Sequence, residues 1–216
     1  MTRDVPRNAS VVTQVQGPKL VAPSVARNYQ ALRDALDRTA PKTGHALEIA
    51  SGTGEHIAGF ATCWPDLEWQ PTEPDRARRD SIDAYCAGLS NVRRAKNLNA
   101  TAPGWGNLYT GQDLILLVNL LHLISKTEAQ ILISETSHAL GPDGRFIFYG
   151  PFMRSGKLTS EGDQRFHASL TRHDPEIGYK DDGFVLECLE TSNLELVEIA
   201  EMPANNVTFI SKKPVT

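Results

Sequence analysis

Residues 46–54 read Ala-Leu-Glu-Ile-Ala-Ser-Gly-Thr-Gly, and this block limits the fold more than any other part of the chain. Its apolar residues form a strand-like run that breaks into a turn with glycines at positions 52 and 54. A helix-like stretch follows from Glu55. A strand, a tight turn and a helix in this order place backbone amides and a helix N-terminus over a cofactor. The block therefore predicts an α/β sheet with a ligand site at the end of its first strand.

A carboxylate follows the second strand-like run at the spacing that a nucleoside site requires. Glu73 lies 21 residues after Gly52 and just after the run 67–70. An acid at this strand tip can accept hydrogen bonds from both ribose hydroxyls of a nucleoside cofactor. The turn lacks the Gly-Lys-Ser/Thr of a P-loop, and Ile57 stands where dinucleotide enzymes carry a third glycine. An ordinary strand–helix turn with a half-buried Glu48 is the alternative interpretation.

Length and composition predict a single cytoplasmic domain over residues 1–216. The net charge is −4 and no basic cluster exceeds two residues, which disfavours nucleic-acid partners. Cys63, Cys86 and Cys188 are widely spaced without a C-x-x-C pair, so we expect a reducing compartment and no metal site. There is no signal-like N-terminal segment and no apolar run of membrane-spanning length, so we expect no membrane partner.

Hydrophobic periodicity divides the chain into alternating strands and helices. Helices are predicted at about 24–39, 54–63, 125–138 and 181–191, with another opening near Pro74, and strands at about 45–50, 67–71, 92–98, 113–121, 145–149, 194–200 and 207–212. Residues 1–22 are predicted to be a loose arm, and 151–180 an insertion that shapes an acceptor pocket. The alternation implies a mostly parallel sheet covered on both faces, and the two closing strands imply an antiparallel edge pair.

Five short blocks carry a family resemblance. They are 48–56, 67–75, 119–122, 149–152 and 201–206. An acid followed by Gly-x-Gly is similar to motif I of class I S-adenosylmethionine-dependent methyltransferases. Together the blocks resemble a small methyltransferase-like family of unknown function that includes methyltransferase-like protein 26, over about residues 20–213.

The resemblance implies an α/β fold, a Rossmann-like class I methyltransferase sandwich. Its seven-stranded sheet is mostly parallel with an antiparallel last strand, and helices cover both faces. The implied cofactor is S-adenosylmethionine. This chain departs from the family pattern at one position, because Leu98-Asn99 stands where the family usually carries Leu-Asp. An asparagine oxygen can accept the same hydrogen bond without a charge.

The resemblance also assigns the cofactor contacts. The residues expected to face the methionine half and the ribose are Glu48, Ser51, Gly52, Thr53 and Gly54. Glu73 is expected to bind the ribose diol, Asn99 to lie near the adenine, and Asn119 to approach the methionine ammonium. At each polar position the alternative is a helix cap or a loop hydrogen bond.

Methyl transfer requires the acceptor to be held in line with the sulfur, and a general base only where the acceptor is protonated. His122 and Tyr149 follow strands whose carboxyl ends line the ligand edge, so both are catalytic candidates. The alternatives are a half-buried loop histidine and a core tyrosine. The residues predicted to contact substrate are Asn28, on a lid helix, Tyr149, Phe152 and Asn205, the last with a turn role as the alternative.

The sequence therefore predicts methyl transfer from S-adenosylmethionine to a small-molecule acceptor. A non-catalytic relative that binds the cofactor or a partner is the main alternative. A nicotinamide oxidoreductase and a protein or RNA methyltransferase are further alternatives. The sequence leaves open whether the protein is a monomer or a homodimer.

Overall fold

The computed structural model describes residue 3, residues 5–6 and residues 9–215, and the side chain of Gln16 is outside this description. The first half of the chain forms β1 (Thr13–Gln16), β2 (Lys19–Val21), α1 (Pro23–Thr39), β3 (Gly44–Ile49), α2 (Glu55–Cys63), β4 (Leu67–Pro71) and α3 (Arg76–Tyr85). The second half forms β5 (Gln112–Val118), α4 (Lys126–Ala139), β6 (Leu140–Met153), α5 (Glu161–His173), β7 (Lys180–Asp181), α6 (Asp182–Thr191), β8 (Glu195–Glu201) and β9 (Asn206–Lys212).

Seven strands build the main sheet in the order β4-β3-β5-β6-β9-β8, with β7 paired to β6. The four strands β4, β3, β5 and β6 run parallel, whereas β9 is antiparallel to both of its neighbours. The predicted mostly parallel seven-stranded α/β sheet with an antiparallel last strand is confirmed. All parallel strands end at one edge, which is where ligands bind in open α/β sheets.

Two hydrophobic cores lie on the two faces of the sheet. One core joins apolar residues of α1, α2 and α3 to the sheet, and the other joins those of α4 and α6. Residues 114–117 of β5 are buried and alternate between the two cores. A strand covered on both faces requires a continuous apolar run, as the sequence predicts here.

The predicted strand at 92–98 was wrong as a regular strand. This segment makes only isolated parallel bridges to the edge strand β4 and the residue that follows it. The bridged pairs are Trp69 with Val92 and Thr72 with Lys96. The seventh strand is instead β7, which pairs with Phe152 and Met153 at the extended end of β6. A segment as charged as Arg93–Lys96 gains little from burial and runs along the sheet edge without a full ladder.

Part of the predicted loose arm is ordered. Strands β1 and β2 form an antiparallel hairpin, and the Leu20 amide donates to Ser81 Oγ of α3 at 2.9 Å. The Ala22 amide donates to Glu55 Oε2 of α2 at 2.7 Å. Residues 1, 2, 4, 7 and 8 of the arm lie outside the described part of the chain. That the whole chain is one domain stays a prediction, as does the pocket-shaping role of 151–180.

Candidate functional site

Three residues of the glycine turn have positive φ angles: Ala50 at 53°, Gly52 at 61° and Gly54 at 93°. Backbone hydrogen bonds hold this turn against the end of β4. Ser51 N donates to Thr72 O at 2.9 Å, and Thr72 N donates to Glu48 O at 2.9 Å. The two strand ends are therefore fixed relative to one another, and α2 begins immediately after the turn.

Glu73 and Gly52 meet, as the 21-residue spacing predicts. Glu73 is 5% exposed, and its Oε2 accepts a hydrogen bond from Gly52 N at 3.1 Å. Its Oε1 accepts one from Asp75 N at 3.2 Å. Burial raises the pKa of Glu73 despite these two amides, which favour the charged form. A carboxylate has about four lone-pair sites, so capacity remains for a ribose diol.

Glu48 is a buried acid without a counter-charge. Its side chain is 2% exposed, and Oε2 has no hydrogen-bond partner within the described residues. Burial raises its pKa to about 8, opposed by a hydrogen bond from Ser51 and reinforced by the charge of Glu73. Leaving a buried carboxylate unpaired is costly, so this position suits a ligand that brings a positive charge.

Ser51 and Thr53 use their hydroxyls within the turn. Ser51 Oγ donates to Glu48 O at 3.3 Å, and Thr53 Oγ1 donates to Glu55 Oε2 at 2.9 Å. Ser81 Oγ of α3 donates to Thr53 O at 2.7 Å. These bonds give both side chains a structural role, so a cofactor contact through their backbones stays a prediction.

Asn99 follows the edge segment beside β4. Glu73 N donates to Lys96 O at 2.9 Å, which brings this segment to the same sheet edge. Asn99 Oδ1 accepts hydrogen bonds from Thr101 N at 3.3 Å and from Thr101 Oγ1 at 2.8 Å. This is the loop hydrogen bonding that the sequence offered as the alternative. The adenine contact of Asn99 stays a prediction.

Asn119, His122 and Gly150 converge where β5 and β6 end. Asn119 has a φ of 59° and donates its amide to Tyr149 O at 2.8 Å. A Cβ built on Gly150 lies 3.8 Å from Asn119 Oδ1 and 3.9 Å from His122 Nδ1. His122 is 5% exposed. Burial, together with the charge of Lys180, lowers its pKa to about 3, so the ring is neutral at physiological pH.

A buried chain of polar side chains joins α1, α2 and β6. His56 Nε2 lies 2.9 Å from Asn28 Oδ1, and because an amide oxygen only accepts, Nε2 is the donor. Burial lowers the pKa of His56 to about 4, so the ring is neutral at physiological pH. Burial raises the pKa of Tyr149, and the neighbouring Asn28 side chain opposes this rise. Tyr149 therefore lies beside the His56–Asn28 pair, with a phenolic hydroxyl that can donate to a ligand.

We expect Asn28→Leu to lower the free energy of unfolding by about 1 to 3 kcal/mol, because it leaves the buried Nε2 of His56 unpaired. Urea unfolding at pH 7 measures this. Tyr149→Phe is the matched control and removes only one hydroxyl, at a cost of about 1 kcal/mol. Equal stability of Asn28→Leu and the parent protein would show that the three side chains do not form one network.

The structure places Phe152 in the core and Asn205 in a turn. The Phe152 ring centroid lies 6.3 Å from that of Phe148 and 4.9 Å from that of Phe209, and its contact with substrate stays a prediction. Strand β6 continues further than the sequence predicts, and this extension carries Phe152 inward. Asn205 has a φ of 60° and donates Nδ2 to Asp163 Oδ2 at 3.2 Å, which agrees with its turn role.

Sequence reasoning missed Asp163, the buried acid that holds the insertion in place. Asp163 accepts hydrogen bonds from Ser160 Oγ at 2.7 Å, Thr159 Oγ1 at 2.8 Å and Tyr179 OH at 3.0 Å, in addition to Asn205. Burial raises its pKa, but these donors outweigh burial and the pKa lies below its usual range. The Ser160–Asp163 spacing is a helix-start signal, whereas nothing local in the sequence indicates the partner at 179.

The described part of the chain contains neither a membrane-spanning helix nor a cluster of metal ligands. None of the helices in the described part of the chain combines the length and apolar character needed to cross a bilayer. Across residue 3, residues 5–6 and residues 9–215, no three His, Cys, Asp or Glu side chains are grouped as metal ligands.

The family described as "Protein of unknown function (DUF938)" matches residues 19–213. The chain belongs to this family. The match covers the glycine turn, both acids and the whole main sheet. It begins at β2 and ends one residue after β9.

Solved structures that share this fold include methyltransferases, one of them in complex with S-adenosylmethionine. A putative O-methyltransferase from Nostoc punctiforme superposes with a TM-score of 0.74 at 14% identity, covering 86% of this chain and 56% of that one. An O-methyltransferase family protein from Burkholderia thailandensis gives 0.73 at 14% identity, with the same 86% and 56% coverage. Human N-acetylserotonin methyltransferase in complex with S-adenosylmethionine gives 0.69 at 10% identity, covering 87% and 55%.

These likenesses establish the Rossmann-like methyltransferase fold for this chain. The chain spans little more than half the length of each of these three proteins. The identities are too low for residues to be carried across. What each of those proteins binds is therefore a property of that protein, and the function of this chain has to be argued from its own side chains.

Proposed function

We propose that this protein transfers a methyl group from S-adenosylmethionine to a small-molecule acceptor by in-line displacement. The observation that carries the proposal is Glu48, a buried carboxylate with an unpartnered oxygen beside the glycine turn. The methionine half of the cofactor carries an ammonium, which supplies the missing positive charge. The fold supports the same cofactor. So does the resemblance to the family that includes methyltransferase-like protein 26.

In this proposal, different residues of the chain bind different parts of the cofactor. Glu48 pairs with the ammonium, the backbone of the turn at 51–54 approaches closely, and Glu73 accepts the ribose hydroxyls. Asn99 lies toward the adenine, and Asn119 offers its carbonyl to the methionine end. When bound, the cofactor supplies an activated methyl group on a sulfonium. The protein therefore needs mainly to orient the acceptor and exclude water.

His122 and Tyr149 are the proposed residues at the reacting end. The neutral His122 ring has a buried Nδ1 without a partner among the described residues. In the tautomer that carries its proton on Nε2, this nitrogen can accept a hydrogen bond from the acceptor. The low pKa of His122 suits this orienting role better than strong general-base catalysis. Tyr149 has a phenolic hydroxyl that can donate a hydrogen bond to the acceptor.

Glu73→Gln tests the cofactor site. Titration calorimetry of the parent protein should show binding of both S-adenosylmethionine and S-adenosylhomocysteine. The variant should bind each about 10- to 100-fold more weakly, because it loses charge-assisted hydrogen bonds to the diol. Glu68→Gln is the matched control on the exposed side of β4, where Glu68 pairs with Arg93 at 2.5 Å, and it should bind normally.

Each result of this titration has a distinct meaning. No binding by the parent protein would contradict the proposed function and favour a partner-binding relative. Tight binding that Glu73→Gln does not change would remove Glu73 from the site while leaving the cofactor in place.

We also propose that the protein is cytoplasmic and either monomeric or homodimeric. Its acidic composition suggests that it has no nucleic-acid partner, and we propose no membrane partner either.

A further inference from the structure

We propose that the free edge of β8, together with the groove between β8 and α6, binds a partner protein by an extended segment that carries apolar and basic side chains. This inference goes beyond the proposed methyl transfer and does not depend on it. It rests on an unpaired strand edge, on exposed apolar side chains beside a groove, and on the acidic surface around them.

One edge of the main sheet is open and the other is covered. In the described part of the chain, β8 ends the sheet and pairs with β9 alone. At the opposite edge, the segment 92–96 makes bridges to Trp69 and Thr72. A strand with a free side presents backbone amide and carbonyl groups to an added strand. β8 also has neither the lysine nor the proline that often blocks such an edge.

Exposed apolar side chains are concentrated on β8. Leu196, Val197 and Ile199 are between 41% and 47% exposed, and they are three of the seven large apolar side chains exposed in the described part of the chain. Leu196 and Ile199 lie opposite Ser211 and Phe209 of β9, so they share the sheet face on which α6 packs. Single exposed apolar residues are ordinary, whereas a cluster marks an interaction site.

A groove adjoins these side chains, between α6 and the start of β8. Its volume is about 340 Å³, which leaves room for apolar side chains of an added strand. Leu196 belongs both to this groove and to the exposed strand, so the two form one continuous surface. The apolar lining of the groove consists of Leu186, Leu189, Leu194, Leu196 and Pro214.

The surface around the groove is acidic. Residues 181–201 contain seven Asp and Glu residues and no Lys, Arg or His. Glu190 and Glu195 line the groove itself. On α6, the exposed Glu187 and Glu190 form no ion pair with a described residue. The glutamates of β8 make surface ion pairs instead, with Lys212, Arg38 and Arg154.

Charge complementarity therefore selects a basic partner rather than a second copy of this chain. Two β8 strands side by side would bring glutamates against glutamates, and like charges on neighbouring strands are destabilising. The bulge between Leu196 and Glu198 further disfavours a long self-paired ladder. A segment that carries lysine or arginine meets the free acids of α6 with opposite charge. Its backbone would pair with β8, and its apolar side chains would enter the groove.

Fluorescence anisotropy of a labelled peptide, Lys-Val-Lys-Leu-Lys-Val-Lys, tests this surface. In an extended chain its apolar side chains share one face and its lysines the other. We expect it to bind at least about tenfold more tightly than Glu-Val-Glu-Leu-Glu-Val-Glu, and to bind more weakly as salt is added. Proline in place of both valines removes two amide donors and should abolish binding. Amide chemical shifts of the isotope-labelled protein should change mainly in β8 and α6.

A double substitution tests the apolar contribution. Leu196→Thr with Ile199→Thr keeps a residue that favours strands but removes apolar surface, and it should weaken binding of the lysine peptide about tenfold. The matched control is Val11→Thr with Val15→Thr, which removes two exposed apolar side chains elsewhere and should leave peptide binding unchanged.

Glu190→Gln with Glu195→Gln tests the charge. It should weaken binding of the lysine peptide about three- to tenfold and reduce the effect of salt. It leaves the apolar contacts intact, so it tests the proposal even where the threonine substitutions prevent folding.

Four results would overturn the proposal. They are no binding of the lysine peptide, equal affinity for the lysine and glutamate peptides, binding that neither double substitution weakens, and amide shifts that lie outside β8 and α6. Sedimentation velocity tests the alternative occupant. A dimer whose formation shifts the β8 amides without peptide would overturn the proposal too, because a second copy would then occupy the edge.

Discussion

Gly54→Ala is expected to lower the free energy of unfolding by more than about 3 kcal/mol, as severe backbone and packing conflicts do. Two costs add at this position. The φ of 93° is one that residues with a Cβ rarely adopt. The added Cβ would also lie 2.6 Å from Cα of Ile82, and because that atom belongs to the backbone of α3, no side-chain rotation relieves the contact. Chemical unfolding in urea measures the loss.

Gly52→Ala is the control that separates the two costs. Gly52 has a φ of 61°, but its Cβ would meet no atom closer than 4.0 Å. Only the left-handed conformation is penalised, at about 1 kcal/mol. The amide that Gly52 donates to Glu73 is unaffected by the substitution. If both variants lost the same free energy of unfolding, the close contact with α3 would add no cost at position 54. That contact would then not be the reason for a glycine there.

The parts of the fold that the sequence predicted are those specified by local chemistry. The glycine turn and the start of α4 are examples. Ser125 and Glu128 form the reciprocal capping box that their spacing indicates. The apolar run of β5 needs no partner to be recognised, because burial on both faces removes polar positions from it. Each of these features is specified by a stretch of about ten residues or fewer. It can therefore be predicted without knowledge of the tertiary structure.

The elements that were missed depend on distant partners. The two-residue strand β7 exists only because β6 extends beyond Tyr149 and offers it a ladder. The hairpin of β1 and β2 is anchored by Ser81, some sixty residues away in the chain. In the same way, Lys180 donates to the carbonyl of Ile124, 56 residues earlier in the chain, besides the nearby carbonyl of Gly178. No periodicity or spacing near these residues predicts such contacts.

The same difference between local features and distant contacts is found in the candidate site. The meeting of Gly52 and Glu73 was predictable because parallel neighbouring strands end together. The network of His56, Asn28 and Tyr149 was not predictable, since it joins three elements through side-chain rotamers. The burial of Phe152 was not predicted, because it depends on an extension of β6 that the sequence did not indicate. Contacts between neighbouring strand ends were thus easier to predict than contacts between side chains of separate elements.

Glu48→Gln is expected to make the free protein more stable and the cofactor complex weaker. In the folded protein the pKa of Glu48 is about 8, against an ordinary value of 4.5. A folded pKa that lies above the unfolded one contributes stability that is full at acid pH and is lost as pH rises through the folded pKa. For this group the loss between pH 4.5 and pH 7 is about 2 to 4 kcal/mol. The glutamine variant does not pay this penalty.

Urea unfolding at pH 5 and at pH 8 tests the stability half of this prediction. The variant and the parent protein should differ little at pH 5, and the variant should be more stable by several kcal/mol at pH 8. Glu68→Gln, on the surface, serves as the control and should follow the parent protein at both pH values. Curves for Glu48→Gln that run parallel to those of the parent protein would show that Glu48 is not a protonated buried acid.

Binding tests the other half, because a cationic ligand should stabilise the charged form of Glu48. In the parent protein, cofactor binding near pH 7 should then release up to one proton, and affinity should rise with pH up to about 8. Calorimetry in two buffers of different ionisation enthalpy measures the released proton. Glu48→Gln should release none and bind about 100-fold more weakly, as the loss of a buried ionic partner implies. Equal affinity without proton release in both proteins would exclude Glu48 as the ammonium partner. The predicted pair of results would instead identify Glu48 as a buried acid that is protonated in the free protein near pH 7 and ionised when the cofactor binds.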